Sequence, residues 1–255
     1  MVELAANKQL QKEGKLLYRE IKKKKLILEN RLPYSREISQ MIGEMNLLDW
    51  VYTSLRLDGS QLSREAVGLL LEGEIALEAT LEEHAFVDRL VQTIKKAQSL
   101  ASFHSEIDLP LINRFYGLIT GIENPHFRKG NPVLIALSYT PPHAHEVKEQ
   151  MDILLNWLAT DKEEGNILRK ASLLHHRFLE IYPFECYSEV MARFLFYYLL
   201  ILEGYPPFPI SLTESAYNDT LSTFFRKEDI EPFYMVVERC LLHKMEVLMQ
   251  LTQRD

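Results

Sequence analysis

Nine consecutive apolar residues, Phe194 to Leu202, directly follow Arg193 in this chain of 255 residues. A helix built from them is apolar on every face, so it has to lie inside a bundle of other helices. The run is also about half of the roughly 20 residues that a helix needs to span a bilayer. The sequence therefore predicts a helical bundle around a buried helix, without a transmembrane segment.

Helical periodicity dominates the rest of the chain. Residues 145–159 and 166–181 both repeat apolar side chains at the spacing of an amphipathic helix. The segment 126–140 differs, because a Gly130-Asn131 turn is followed by β-branched and aromatic residues. We therefore expect an all-α fold, a helical bundle that carries one small β-hairpin flap.

Composition and charge narrow the class of protein. An apolar fraction of 47% and a charged fraction of 25% are typical of a globular protein without large-scale disorder. The N-terminus has no signal-peptide core, which predicts a cytoplasmic location. The net charge of −7 argues against nucleic-acid partners. The basic run Lys22-Lys23-Lys24-Lys25 fits a solvated helix face better than a nucleic-acid arm.

Common catalytic and metal motifs are absent. The sequence has no phosphate loop, dinucleotide-binding fingerprint, nucleophile elbow or HExxH motif. His143 and His145 lack a third metal ligand, so surface histidines explain them better. His175, His176 and Cys186 are the other metal-capable trio, and their spacing fits no familiar site. We therefore expect no metal site.

The sequence also suggests where the chain divides. The segment SFHSEIDLP separates an N-terminal helical portion from the remainder. We therefore predict an N-terminal helical region at 1–105 and a core at 106–255.

A stretch in the core resembles the signature of the Fic (Fic/Doc) family. That signature reads His-Pro-Phe-x-Asp/Glu-Gly-Asn-Gly-Lys/Arg-x-x-Arg, after a helix that ends in His-x-x-Phe-x-x-Ile. The resemblance extends by motif order over roughly residues 50 to 240. It implies the Fic helical bundle with an N-terminal extension, and it makes 126–140 the flap that positions a target protein. The matching residues are His175, Phe178 and Ile181 in the helix and Pro183, Phe184 and Arg193 in the motif.

The resemblance implies transfer of AMP from ATP to a protein hydroxyl, with magnesium as cofactor. In this chain, the positions of the catalytic base and of the magnesium ligand carry other residues. Tyr182 stands at the position of the base, and an ordinary phenol pKa of about 10 leaves almost no base at neutral pH. Cys186 stands where the family has a magnesium-holding acid, and a thiol is a soft ligand. Glu185 is adjacent but occupies the variable position of the motif.

The positions that cradle the nucleotide phosphates in the family are also changed. Tyr187, Ser188 and Glu189 replace Gly-Asn-Gly, and Val190 replaces the first arginine. A carboxylate beside a phosphate costs on the order of 1 to 4 kcal/mol. We interpret Ser188 as an N-cap and Glu189 as a first-turn acid that stabilise the next helix without an anion.

The segment TSLRLDGSQLS at 53–63 resembles the self-inhibitory segment of the family. Ser54, Asp58 and Gly59 take the matching positions, and the acid of this segment pairs with the second motif arginine in relatives. We therefore expect Asp58 to contact Arg193. An ordinary Asp-Gly turn before a helix from Ser63 is the alternative.

The favoured hypothesis is a Fic-fold protein that is not an adenylyltransferase and acts as a binding or regulatory module in signalling. It needs no cofactor and binds a protein partner by strand addition at the flap.

The alternative is an active nucleotidyl- or phosphotransferase that uses ATP and Mg²⁺ or another donor, with Cys186 or Glu185 as ligand or nucleophile. A DNA-associated regulator is disfavoured by the acidic charge. Membrane partners are not expected, and a homo-oligomer is left open.

Overall fold

The computed structural model of the protein describes residues 17–161 and 165–253. Helices dominate this part of the chain, as the periodicity predicts. The helices are α1 (17–30), α2 (Arg36–Leu57), α3 (Arg64–Leu71), α4 (Leu81–Ala101), α5 (Leu109–Thr120), α6 (Val147–Thr160), α7 (Ile167–Ile181), α8 (Ser188–Leu202), α9 (Glu214–Lys227) and α10 (Glu231–Leu251).

The predicted central helix is α8, and the prediction of its burial on every side is confirmed. Its side chains from Val190 to Leu200 are buried all round the helix. It packs most extensively against α7 and also contacts α4 and α2. Aromatic rings fill the surrounding space, since Phe194 lies 5.0 Å from Trp50 and 4.9 Å from Phe115 between ring centroids. Helix α8 is therefore the fixed element that holds the end of the motif in place.

Local sequence signals set several helix ends. Thr80 and Glu83 form a reciprocal capping box at the start of α4. Asp108 accepts a hydrogen bond from the Leu111 N–H at the start of α5. Gly121 ends that helix with a φ of 78°, a left-handed conformation that glycine adopts without strain.

The predicted β-hairpin flap is wrong. No strand is present among the described residues, and the pairing at 126–140 is a single isolated antiparallel bridge between Leu134 and Tyr139. The residues between them form a 3-10 turn at Ile135–Leu137, which leaves no room for a second bridge. Pro132 also lacks the N–H that a ladder needs. We keep the word flap for residues 126–140 without implying strands.

Helices α4 and α5 meet across the short loop 102–108 and pack against each other. The predicted division of the chain at 105/106 stays a prediction. Across the two described stretches of sequence, no helix is both long enough and apolar enough to cross a membrane.

A buried group of charges joins the N-terminal helices to the C-terminal one. Asp49 on α2 accepts a hydrogen bond of 2.6 Å from the ammonium of Lys244 on α10. It also pairs with Arg64 at the start of α3. The side chains of Asp49 and Lys244 are both only 3% exposed. This ion triad fixes the position of α2, which carries Asp58 at its C-terminal end.

Glu238 on α10 gives the stability a pH dependence. Its side chain is buried, and burial raises its pKa to about 7, although Tyr234 donates a hydrogen bond of 2.6 Å to it. Because the folded pKa lies above the unfolded one, the native state holds a proton from roughly pH 4.5 to 7. The stabilisation is complete below the unfolded pKa and is lost as the pH rises through 7.

We therefore expect Glu238→Gln to be more stable than the wild type at pH 8, by about 1 to 3 kcal/mol, and close to it at pH 5. Urea unfolding at the two pH values measures this. The exposed Glu203→Gln serves as the matched control and should follow the wild type. A constant difference between Glu238→Gln and the wild type at both pH values would contradict the assignment.

Candidate functional site

The candidate site is the motif loop, residues 182–187, together with the start of α8. The loop begins and ends at tyrosines in the left-handed region, Tyr182 with a φ of 49° and Tyr187 with a φ of 60°. A left-handed residue other than glycine costs roughly 1 to 2 kcal/mol. Tyr187 stands where the resembling motif has its first glycine. The backbone therefore keeps a conformation suited to glycine although the side chain is large.

Tyr182, at the position of the motif base, is a hydrogen-bond donor here. Its half-buried hydroxyl donates a bond of 2.7 Å to the Glu189 carboxylate. Burial raises its pKa well above the usual range, and the negative charge of Glu189 raises it further. The phenol therefore keeps its proton and cannot accept one from a target at neutral pH.

Two further residues of the motif loop, Cys186 and Tyr187, contact aromatic side chains of α4 and α5. The Tyr187 ring stacks on Phe86 of α4, with centroids 5.7 Å apart and an interplanar angle of 14°. Cys186 is exposed, and its Sγ lies 3.5 Å from the Tyr116 hydroxyl. Burial raises the pKa of Tyr116, with Cys186 as the second cause. This edge of the site is therefore built from aromatic and thiol groups.

Ser188 does not act as the predicted N-cap. The N-cap residue of α8 is Tyr187, and it makes no side-chain capping bond. The buried Ser188 hydroxyl instead accepts a bond of 3.0 Å from the Phe184 N–H and donates one of 3.2 Å to the Phe184 carbonyl. The left-handed conformation of Tyr187 places Ser188 inside the helix, where its hydroxyl closes the motif loop. Val190, two residues further along, is buried as well.

Arg128, which the sequence analysis did not single out, organises the motif loop from the flap. Its side chain is buried, and its Nε donates a bond of 2.7 Å to the Tyr182 carbonyl. The other guanidinium nitrogens donate to the carbonyls of Gly130, Pro142 and Ile181. Lys129 stands next to it in the sequence, so no local signal distinguishes Arg128 from an ordinary surface charge of the flap.

Glu185 makes a second tie between the motif loop and the flap. Its Oε1 accepts bonds of 2.7 Å from the Lys129 N–H and 3.0 Å from the Gly130 N–H. These backbone donors lower the pKa of its carboxyl. Glu185 is therefore a charged anchor of the flap, although it occupies the variable position of the motif.

The expected contact between Asp58 and Arg193 is confirmed. The guanidinium of Arg193 pairs with the Asp58 carboxylate and donates a bond of 3.4 Å to the Ser54 carbonyl. Gly59 follows with a φ of 85°, so the Asp-Gly turn is also present. Helix α3 begins at Arg64 with Ser63 as its N-cap, one residue after the start expected from the sequence. Residues 53–63 thus lie directly against the C-terminal end of the motif.

The electrostatics around this pair are acidic. Burial raises the pKa of the Asp58 carboxyl, Arg193 opposes that rise, and Glu189 and Glu214 add to it. Burial disfavours the Arg193 charge, but Asp58 and Tyr217 more than offset it and raise the pKa of the guanidinium. Arg193 is fully buried and stays charged, while the Asp58 side chain keeps 33% exposure. The carboxyl group that pairs with this buried cation therefore has two further carboxyl groups, Glu189 and Glu214, in its neighbourhood.

A neutral network lies behind Arg193. The guanidinium carbon lies 5.8 Å from the Tyr217 ring centroid, and the Tyr217 hydroxyl is 2.7 Å from His175 Nε2. His175 Nδ1 in turn lies 3.0 Å from His176 Nδ1. Burial lowers the pKa of His175 well below its usual value and that of His176 to about 3. Both histidines are therefore uncharged parts of the core.

The metal-capable residues named from the sequence are not brought together. Cys186 is exposed, whereas His175 and His176 are buried in the core. His143 and His145 stack on the surface with ring centroids 5.7 Å apart. Within the stretches 17–161 and 165–253, no group of three or more His, Cys, Asp or Glu residues is placed to hold a metal ion.

Solved structures share this fold. A Fic-domain-containing signalling protein from Bacteroides thetaiotaomicron superposes with a TM-score of 0.80 at 21% identity, covering 91% of this chain and 97% of that one. A Fic-1 fragment from Caenorhabditis elegans gives a TM-score of 0.81 at 17% identity, covering 97% and 75% of the two chains. The arrangement of helices is therefore that of Fic proteins.

Sequence relatives point to the same family. The protein adenylyltransferase fic-1 of C. elegans is 23% identical over 218 residues, which are 82% of this chain and 42% of that protein. The protein adenylyltransferase Fic of Nematostella vectensis is 25% identical over 198 residues, or 74% and 46% of the two chains. This chain thus spans less than half the length of these relatives. The Fic/DOC family model matches residues 96–200. The chain therefore carries a Fic/DOC domain at these residues and is distantly similar to protein adenylyltransferases.

Proposed function

We propose that this protein is a catalytically inactive member of the Fic family that acts as a binding or regulatory module. The observation that carries the proposal is the bond from Tyr182 to Glu189. By the resemblance, Tyr182 takes the base position and Glu189 a phosphate-cradle position of the motif, so the bond joins a protonated phenol to a carboxylate. The Tyr182 hydroxyl and the Glu189 carboxylate thus satisfy each other's hydrogen-bonding capacity.

The residues at the cofactor positions do not fit magnesium and ATP. Mg²⁺ prefers hard oxygen ligands, and the residue at its position offers a thiol, Cys186. The neighbouring acid, Glu185, already accepts hydrogen bonds from the backbone amides of the flap. The cradle that glycines would leave open carries the Tyr187 side chain, stacked on Phe86. We therefore derive no chemical step through a bound nucleotide.

The charges argue against phosphate as well. Arg193 is paired with Asp58, and Glu189, which accepts the bond from Tyr182, adds its negative charge near the same Asp58 carboxyl. A phosphate beside Glu189 would meet like charge at short range. In the proposed function, the inhibitory-like segment with Ser54, Asp58 and Gly59 is a structural partner of Arg193.

The flap is the surface that we propose for a protein partner. Ile135 is 85% exposed and Val133 is 62% exposed on either side of the Leu134 bridge. The isolated bridge leaves a short extended backbone next to two exposed apolar side chains. An extended partner segment would bind there by backbone pairing, with its apolar side chains on Ile135 and Val133.

We expect ATP, CDP-choline and UTP, each at millimolar concentration with Mg²⁺ or Mn²⁺, to leave the melting temperature unchanged. Any ligand that binds only the folded state raises it by mass action. The matched control is the chain with its motif restored, Tyr182→His, Cys186→Asp, Tyr187→Gly, Ser188→Asn, Glu189→Gly and Val190→Arg. This variant should gain a shift with ATP.

An active transferase with altered motif chemistry is the competing function. Its supporting observation is the exposed thiol of Cys186 at the mouth of the site. A metal-dependent shift of the wild type with any of these nucleotides, lost in Cys186→Ser, would favour it over the proposal.

A further inference from the structure

Two exposed surfaces far apart in the sequence carry opposite charge and unusual apolar exposure. The first is the acidic loop, which we define as residues 72–82 between α3 and the first turn of α4. Ile75, Leu77 and Leu81 are 78%, 96% and 89% exposed within it. Single exposed aliphatic residues are ordinary, but three within seven positions mark a contact surface.

The charge of this loop has one sign. Glu72, Glu74, Glu78 and Glu82 are all exposed around the aliphatic side chains. No lysine or arginine occurs between Arg64 and Arg89 in the sequence. An apolar contact with an acidic rim selects a partner that presents apolar side chains with basic neighbours.

The second surface has that chemistry and belongs to α1. Arg19, Lys22, Lys23 and Leu26 follow the spacing of one helix face, and all four are exposed, Leu26 by 59%. The opposite face of the helix carries the buried Ile21 and Leu28. The basic face, defined by these four residues, is therefore turned away from the core.

We propose that the acidic loop binds the basic face of a second copy of this chain. The two surfaces are complementary, because both present exposed aliphatic side chains and the charges around them have opposite sign. The contact joins two different surfaces, so it closes as a reciprocal dimer or continues from copy to copy. Sedimentation velocity distinguishes these two forms. The contact does not involve the nucleotide site, so its test is independent of the test of the proposed function.

The test is a charge-reversal cycle on the purified full chain, measured by sedimentation velocity over a concentration series. Arg19→Glu with Lys23→Glu, and separately Glu74→Lys with Glu78→Lys, should each weaken self-association about tenfold or more. The chain with all four changes restores opposite charges and should regain most of the association. Raising the salt concentration should weaken the wild type, because exposed charges are screened.

Lys95→Glu with Lys96→Glu is the matched control, since both lysines are exposed on α4. It should associate like the wild type. A melting curve for each variant verifies that the fold is kept. The proposal is overturned if the wild type is a monomer at every concentration, if neither reversal weakens association, or if the fourfold variant fails to recover it.

Discussion

Arg128→Met will lower the free energy of unfolding by about 3 to 4 kcal/mol. The guanidinium donates to the carbonyls of Tyr182, Gly130, Pro142 and Ile181. Methionine replaces the aliphatic part of the side chain and removes every donor. The carbonyls of the motif loop and the flap then lose their donors in a part-buried region, where each loss costs about 1 kcal/mol, the lower end of the range for fully buried groups.

Urea unfolding measures the stability, and hydrogen exchange of the Lys129 and Gly130 amides measures the local effect. Arg128→Lys should recover less than half of the loss, because an ammonium cannot reproduce the planar fork of donors. The exposed Arg114→Met is the control and should stay near the wild type. A loss below about 1 kcal/mol for Arg128→Met would show that Arg128 does not hold the motif loop and the flap together.

The second large effect is expected in the ion triad. Asp49→Ala should destabilise the protein by about 3 to 5 kcal/mol, because it leaves the buried Lys244 ammonium without its carboxylate. Burial lowers the pKa of Lys244, and Asp49 opposes that change. In Asp49→Ala, nothing therefore offsets the cost of burying the positive charge of Lys244.

The double variant Asp49→Leu with Lys244→Met removes both buried charges. It should be more stable than Asp49→Ala, since the remaining Arg64 has a side chain 37% exposed to water. Chemical denaturation of the two variants gives the comparison. Equal losses in both would contradict the view that an unpaired buried charge causes the damage.

Much of the fold could be predicted because it depends on local patterns. The apolar run Phe194 to Leu202 predicted the buried helix α8, and the stripes at 145–159 and 166–181 predicted α6 and α7. The contact between Asp58 and Arg193 followed from the resemblance to the family. These features are specified by periodicity or by a motif that a single sequence contains.

The wrong or missing predictions concern features that depend on tertiary packing. The β-branched and aromatic residues of the flap suggested a hairpin, but Arg128 and Glu185 bind the backbone around Gly130 to the motif loop instead. Ser188 looked like an N-cap, yet the left-handed Tyr187 moves the cap back by one residue. Arg128 has partners more than fifty positions away, and no local pattern reports such a contact.

Labelling with ATP that carries the label on its α-phosphate tests the central claim most directly. The wild type, the motif-restored variant and that variant with Asp58→Ala are incubated with Mg²⁺ or Mn²⁺, both alone and with a cell lysate. We expect no metal-dependent label transfer by the wild type, and transfer by the restored chain that increases when Asp58 is removed. Robust Mg²⁺-dependent labelling by the wild type, abolished by Tyr182→Phe, would contradict the account.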